Sequence, residues 1–71
     1  MGEGTVGNYL RTKRQDRGMT QEELAGRTGV TRQTIIAMEK GNYVPSVLLA
    51  LRLAKAFECS VEELFYVEES R

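Results

Sequence analysis

The stretch that decides the fold is QEELAGRTGVTRQTIIAMEK, residues 21–40. It predicts two short helices, over about 20–28 and 31–40, joined by a tight turn. Ala25 is small at the point where two packed helices must approach closely, and Gly29 lies where the turn needs a positive φ. The apolar residues that would hold the helices at a fixed angle are Leu24, Val30, Ile35 and Met38. A DNA-reading helix-turn-helix requires this spacing, although any pair of packed helices shows part of it.

One further helix is predicted before this stretch, from about Val6 to Arg17. Val6 and Leu10 lie four residues apart and would therefore share one face of that helix. Gly18 follows its end in the usual role of a C-terminal glycine. Residues 1–5 are rich in glycine, and we expect them to form a flexible N-terminus.

Two more helices are predicted after the central stretch. Ser46, directly after Pro45, would cap a fourth helix that reaches about Phe57. Ser60 and Glu63 form a capping-box pattern, which predicts a fifth helix. The apolar stripe of the fourth helix has helical spacing and consists of Val47, Ala50, Leu53, Ala54 and Phe57.

These elements together predict an all-α fold, a compact five-helix domain over residues 6–67. A short C-terminal tail would follow over residues 68–71. No stretch of the chain shows a pattern that would predict a strand in competition with these helices.

The composition is ordinary for one small globular domain. The chain has 71 residues and a formal net charge of zero, from ten basic and ten acidic side chains. Basic residues outnumber acidic ones in residues 1–40 and the reverse holds in residues 41–71, so a neutral protein could still present one basic face. The single cysteine, Cys59, favours a reducing, cytoplasmic location and a structural role for the thiol. No membrane span or secretion signal is evident.

No arrangement of residues in this sequence indicates an active site. It shows no nucleophile–base pair and no phosphate loop, and it has no histidine and only one cysteine. The C-terminal acidic residues fit a solvated face better than a metal site; they are Glu62, Glu63, Glu68 and Glu69. We therefore expect that the protein is not an enzyme and that it binds no metal, cofactor or small-molecule ligand.

The polar face of the central helices favours nucleic-acid binding over a purely structural helical hairpin. The second helix begins with four residues whose side chains can contact base edges or phosphates; they are Thr31, Arg32, Gln33 and Thr34. The start of the preceding helix offers Thr20, Gln21 and free backbone N–H groups suited to a phosphate oxygen.

The sequence resembles the phage repressor and Cro-like family, often called the XRE family. The matching segments are RGMTQEELA at 17–25, GVTRQTI at 29–35, Met38–Glu39 with Gly41, Pro45–Ser46, LALRLAKAF at 49–57 and SVEELF at 60–65. The match extends without a gap over about residues 8–66. The resemblance implies a five-helix lambda-repressor-like fold and dimeric binding to near-palindromic operators in double-stranded DNA. It also implies regulation of transcription.

The resemblance further implies roles for single residues. The base contacts would come from Thr31, Arg32, Gln33, Thr34, Ile36 and Ala37. The phosphate contacts would come from Thr20, Gln21, Lys40, Asn42 and Tyr43, with Gln21 also bracing the second helix. Arg14 and Glu39 match a pair that commonly forms an internal salt bridge.

Three departures from the family pattern affect these expectations. Lys13 stands where an apolar residue is usual, so its stem would cover the core. Leu48 stands where a charged residue is common, which predicts an exposed apolar spot. Ile36 and Ala37 are apolar where polar readers are frequent, which shifts readout towards thymine methyl groups.

Two functions remain open at this point. The first is a stand-alone transcriptional regulator, a homodimeric repressor with Phe65, Tyr66 and Val67 at the dimer interface. The second keeps the fold but makes the protein an interaction module, such as an antitoxin or an anti-repressor. An antitoxin usually adds an extension that wraps its toxin, and few residues follow the fifth predicted helix.

Overall fold

The computed structural model describes residues 4–69. Four α-helices form its body: α1 (Leu10–Asp16), α2 (Gln21–Thr28), α3 (Arg32–Glu39) and α4 (Val47–Phe57). Two strands, β1 (Gly4–Asn8) and β2 (Phe65–Glu69), pair at its ends, and a 3₁₀ helix (Val61–Glu63) leads from α4 towards β2. None of the helices in residues 4–69 has the length and apolar character needed to cross a membrane.

Local capping chemistry sets where three of the helices begin. Thr20 and Glu23 form a capping box: the Glu23 N–H donates to the Thr20 hydroxyl at 3.0 Å, and the Thr20 N–H donates to the Glu23 carboxylate at 2.8 Å. The bond from the Thr20 N–H to the carboxylate, together with the nearby Thr20 hydroxyl, holds the pKa of Glu23 below its ordinary value. Thr31 and Ser46 cap α3 and α4 by accepting the N–H groups of Thr34 and Leu49.

The core lies between the four helices. Its fully enclosed large side chains are Leu10, Leu24, Ile35, Met38, Leu53, Phe57 and Leu64. Gly29 ends α2 in the left-handed conformation at φ 77°, and its N–H donates to the Ala25 carbonyl at 2.9 Å. This turn is what carries the chain from α2 into α3.

The two strands are an unexpected element. They pair antiparallel, with Val6 opposite Val67 and Asn8 opposite Phe65. Tyr66 packs over Gly7, where any Cβ would overlap its ring. Its ring centroid lies 4.9 Å from that of Tyr9. The sheet therefore ties the first and last described segments of the chain together.

The prediction of an all-α fold with five helices was wrong in two places. The first helix begins at Leu10 rather than Val6, because residues 4–8 pair with β2. The fifth predicted helix is a single 3₁₀ turn at Val61–Glu63, after which the chain extends into β2. Of the expected flexible N-terminus and C-terminal tail, residues 4, 5, 68 and 69 lie in strands, and residues 1–3 and 70–71 lie outside the described residues.

Candidate nucleic-acid interface

One side of helix α3 packs against the core, and the other side is exposed to solvent. Ile35 and Met38 are fully buried against the core, whereas Arg32 and Gln33 are exposed in the first turn of α3. Thr31 is exposed, and its hydroxyl lies 3.1 Å from that of the half-buried Thr34. Because α2 and the core hold the buried side, the exposed side presents its polar groups in a defined direction.

An ion pair beneath this face joins α1 to α3. Arg14 Nε donates to Glu39 Oε2 at 2.6 Å, and Arg14 Nη2 donates to Glu39 Oε1 at 3.1 Å. The side chains are 12% and 6% exposed. Donation of hydrogen bonds to the Glu39 carboxylate raises the pKa of Arg14. The third donor group of Arg14, Nη1, reaches the Met19 carbonyl at 2.9 Å.

Gln21 extends this network into α2. Its Nε2 donates to Glu39 Oε1 at 3.1 Å, so α2 and α3 are joined by a side-chain bond as well as by apolar packing. Gln21 is half-buried. The position is consistent with the bracing role that the resemblance implied, since the bond reaches the last residue of α3.

An open cleft brings together five of the eleven residues predicted to contact DNA, and the ion pair lies in it. The other six do not line the cleft; they are Thr31, Gln33, Thr34, Ala37, Asn42 and Tyr43. The cleft is lined by Arg11, Arg14, Gln15, Thr20, Gln21, Glu22, Arg32, Ile36, Glu39 and Lys40. Within residues 4–69 the exposed cations Arg11, Arg32 and Lys40 have no ion pair. A cleft edged by three such cations attracts an anion such as a phosphate.

Arg11 is a cleft residue that interpretation of the sequence missed. It lies in the first turn of α1, three residues before Arg14 and four before Gln15, which line the same cleft. That spacing places all three on one helix face, and it is the signal that could have identified Arg11.

The segment after α3 is exposed beside the cleft. Gly41 has φ 82°, and the Asn42 N–H donates to the Ala37 carbonyl at 2.9 Å, which ends the helix and turns the chain. Lys40, Asn42 and Tyr43 are all exposed, whereas Ile36 and Ala37 are half-buried.

The three residues predicted at a dimer interface lie in β2, and one of them, Tyr66, lines a smaller pocket together with Glu39 and Lys40. Phe65 is half-buried and packs against the core, and Tyr66 stacks on Tyr9. Val67 is largely exposed. No group of three or more metal-ligating side chains occurs within residues 4–69.

Comparison with known proteins identifies relatives along nearly the whole chain. The helix-turn-helix family HTH_3 matches residues 10–64. An uncharacterized HTH-type transcriptional regulator of Bacillus subtilis, YgzD, is 50% identical over 87% of this chain and 94% of its own length. An uncharacterized HTH-type transcriptional regulator of Methanothermobacter thermautotrophicus is 54% identical over 84% of this chain and 88% of its own.

A solved structure agrees with these matches. The restriction-modification controller protein C.AhdI of Aeromonas hydrophila superposes with a TM-score of 0.72 at 33% identity. The superposition covers 76% of this chain and 82% of that one. The helical part of the fold is therefore shared with a protein whose sequence is also recognisably similar.

Proposed function

Because the chain belongs to the helix-turn-helix HTH_3 (XRE) family of DNA-binding transcriptional regulators, we propose that it binds a specific DNA sequence through α3. In this proposal α3 enters the major groove, and a homodimer recognises a near-palindromic operator in the cytoplasm. Occupancy of the operator represses transcription, since blocking a promoter needs no second activity. The family and these relatives are regulators rather than enzymes.

The observation that carries the proposal is the division of α3 into a buried and an exposed side. Arg32 and Gln33 are exposed in its first turn, while Ile35 and Met38 are fully enclosed. A helix that reads bases needs this rigid mounting, because a bidentate contact to a base discriminates only when its geometry is held. Arginine suits guanine and glutamine suits adenine in the major groove.

Residues in the cleft and in the segment after α3 would position the protein on the phosphate backbone. Lys40, Asn42 and Tyr43 follow α3 along the exposed side, and Arg11 adds a cation from α1. Thr20 and Gln21 lie at the start of α2, where free N–H groups suit a phosphate oxygen. Contacts of this kind fix register without reading sequence.

Ile36 and Ala37 would complete the reading surface. Ile36 lines the cleft together with Arg32. Its side chain has no hydrogen-bonding group, so its favourable partner in the groove is a thymine methyl. We expect a thymine preference at one position of each half-site.

Selection of bound sequences from a random DNA library tests this proposal directly. The expected result is one enriched site with two related half-sites, about 10 base pairs apart from centre to centre, or one helical turn. Recovery of no enriched sequence at moderate salt would contradict the proposal.

Two substitutions then separate reading from positioning. Gln33→Ala should relax preference at one position of each half-site, by about 1–3 kcal/mol of discrimination. Lys40→Ala should weaken binding to all sequences and lower the salt slope by about one. Arg27→Ala is the matched control, since Arg27 is an exposed cation on α2 and does not line the cleft.

Equal, base-independent losses from Gln33→Ala and Lys40→Ala would mean that α3 does not read sequence. That outcome would favour an interaction module, such as an antitoxin or an anti-repressor. A reporter gene placed behind the selected site checks the sign of regulation: expression should fall when the protein is supplied.

A further inference from the structure

Helix α4 carries an apolar surface that the fold does not use. The α4 face comprises Val44, just before the helix, and Val47, Leu48 and Leu51 on it, which are 61%, 76%, 58% and 55% exposed. Leu48 and Leu51 lie on the side of α4 opposite the buried Leu53 and Phe57. Val47 lies between the two sides, next to the buried Ala54, and its prediction as part of the buried stripe was wrong because it is largely exposed. Four large apolar side chains in eight residues are a cluster, not the scattered exposure that is normal on a surface.

We propose that the α4 face is where a second copy of this chain packs. This proposal rests on the proposed function only in taking the protein to act as a dimer. A two-fold contact is self-complementary, so one apolar face supplies both sides of the interface.

The area of the α4 face suits this occupant. A fully exposed side chain of this size has roughly 150 Å² of accessible surface. The exposed fractions of the four side chains therefore add up to roughly 350–400 Å² of apolar surface in contact with water. A standard interface takes about 800 Å² from each partner, of which about 57% is apolar, or roughly 450 Å². The α4 face therefore supplies most of the apolar area that one protomer needs.

Charge also favours this face over the sheet. Within residues 43–57 the only charged side chains are Arg52 and Lys55, which lie one helical turn after Leu48 and Leu51 and border the α4 face at its C-terminal end. Both are exposed, and their long stems can keep the charged groups in water beside a contact. On β2, by contrast, Val67 is followed by Glu68 and Glu69. Two copies that met there would bring these carboxylates together, which costs free energy.

The sheet also has less apolar surface to offer. Phe65 already packs against the core, and Tyr66 is engaged with Tyr9. Val67 alone remains mostly exposed, at 67%. The dimer contact predicted from the sequence at these three residues is thus the weaker of the two candidate surfaces.

Sedimentation of matched lysine variants tests the assignment. Leu48→Lys and Leu51→Lys place a charge in the α4 face, and Val67→Lys places the same charge on the sheet. All three side chains are exposed, so a far-UV circular dichroism spectrum should show an unchanged fold. We expect a wild-type dimer, a rise of at least tenfold in the dissociation constant for both α4 variants, and no change for Val67→Lys.

Cross-linking gives an independent readout in a Cys59→Ser background. Residues near a two-fold axis meet their own copies, so Leu48→Cys should form an intermolecular disulfide on oxidation, whereas Val67→Cys should not. The same variants require no knowledge of the operator.

Each alternative outcome overturns the assignment. Dissociation by Val67→Lys alone would place the second copy on the sheet, and dissociation by all three variants would show that the α4 face is not the interface by itself. A wild-type monomer at all concentrations, or dimers that persist in both α4 variants, would also refute it. A dimer that depends on α4 but selects no DNA sequence would refute the proposed function and leave this inference standing.

Discussion

The ion pair between Arg14 and Glu39 gives the sharpest stability prediction. Glu39 accepts three hydrogen bonds, two from Arg14 and one from Gln21. Glu39→Ala removes all three, and the Arg14 side chain, 12% exposed in the intact pair, keeps the Met19 carbonyl as its remaining described partner. Removing one partner of a buried ion pair costs about 3–5 kcal/mol of stability. Because Arg14 keeps its hydrogen bond to the Met19 carbonyl, we expect the lower end of this range, about 3 kcal/mol.

This loss is large for so small a domain. A chain of 71 residues is stable by about 4–10 kcal/mol, so Glu39→Ala should remove roughly a third to three quarters of the free energy of unfolding. Urea denaturation followed by circular dichroism at one fixed protein concentration measures the change. Glu39→Gln keeps the size and one acceptor but loses the charge, and we expect an intermediate loss of about 1–2 kcal/mol.

Two further variants decide whether the reasoning is right. Glu62→Ala removes an exposed carboxylate from the 3₁₀ helix and should change stability by less than about 0.5 kcal/mol. Replacing both partners, by Arg14→Met with Glu39→Leu, should recover most of the loss, because no buried charge is left alone. If Glu39→Ala is no more destabilising than Glu62→Ala, the pair does not hold α1 to α3 and the argument fails.

Three other predictions follow from single contacts. Gly26 lies inside α2 with open space around it, so Gly26→Ala should raise stability by about 0.5–1 kcal/mol. Gly7→Ala should lower stability by about 1 kcal/mol, because the added Cβ displaces the Tyr66 ring. The midpoints of thermal unfolding of the two variants should shift in opposite directions. The pKa of Glu23 is lowered in the folded protein, so its carboxylate contributes to the free energy of unfolding above the pKa of the unfolded chain. That contribution is lost as the pH falls through the pKa of the folded state. Between about pH 5 and 3, Glu23→Gln should therefore lose less stability than the wild type. Arg11→Ala should reduce the magnitude of the salt slope of DNA binding by about one without changing base preference, and a changed preference would contradict a backbone role.

Much of the candidate interface was predictable from the sequence. Arg32, Gln33 and Lys40 were assigned by their positions on the second predicted helix, and all three are exposed in or beside the cleft. The orientation of a helical side chain follows from its spacing relative to the buried residues, so Ile35 and Met38 fix where the others point. Arg11 was missed because its place in the cleft depends on how α1 packs against two other helices.

Helices α2, α3 and α4 were determined by the sequence itself. They were predicted over about 20–28, 31–40 and 46–57, and they occupy Gln21–Thr28, Arg32–Glu39 and Val47–Phe57. The backbone hydrogen bonds of a helix join residues four apart, and a capping side chain bonds within three residues. All the information needed to place such an element therefore lies within a short window of the chain.

The sheet was decided only by the tertiary structure. Residues 4–8 were divided between a flexible terminus and the first predicted helix. The aromatic and β-branched run Phe65–Val67 is too short to predict a strand by itself, and it continues directly from the capping box at Ser60. A strand forms its hydrogen bonds only with a partner, and here the partner lies at the other end of the chain: Gly4 pairs with Glu69. The helical core brings the two ends together, and only then do the bonds of the sheet become available, which is why no local pattern revealed it.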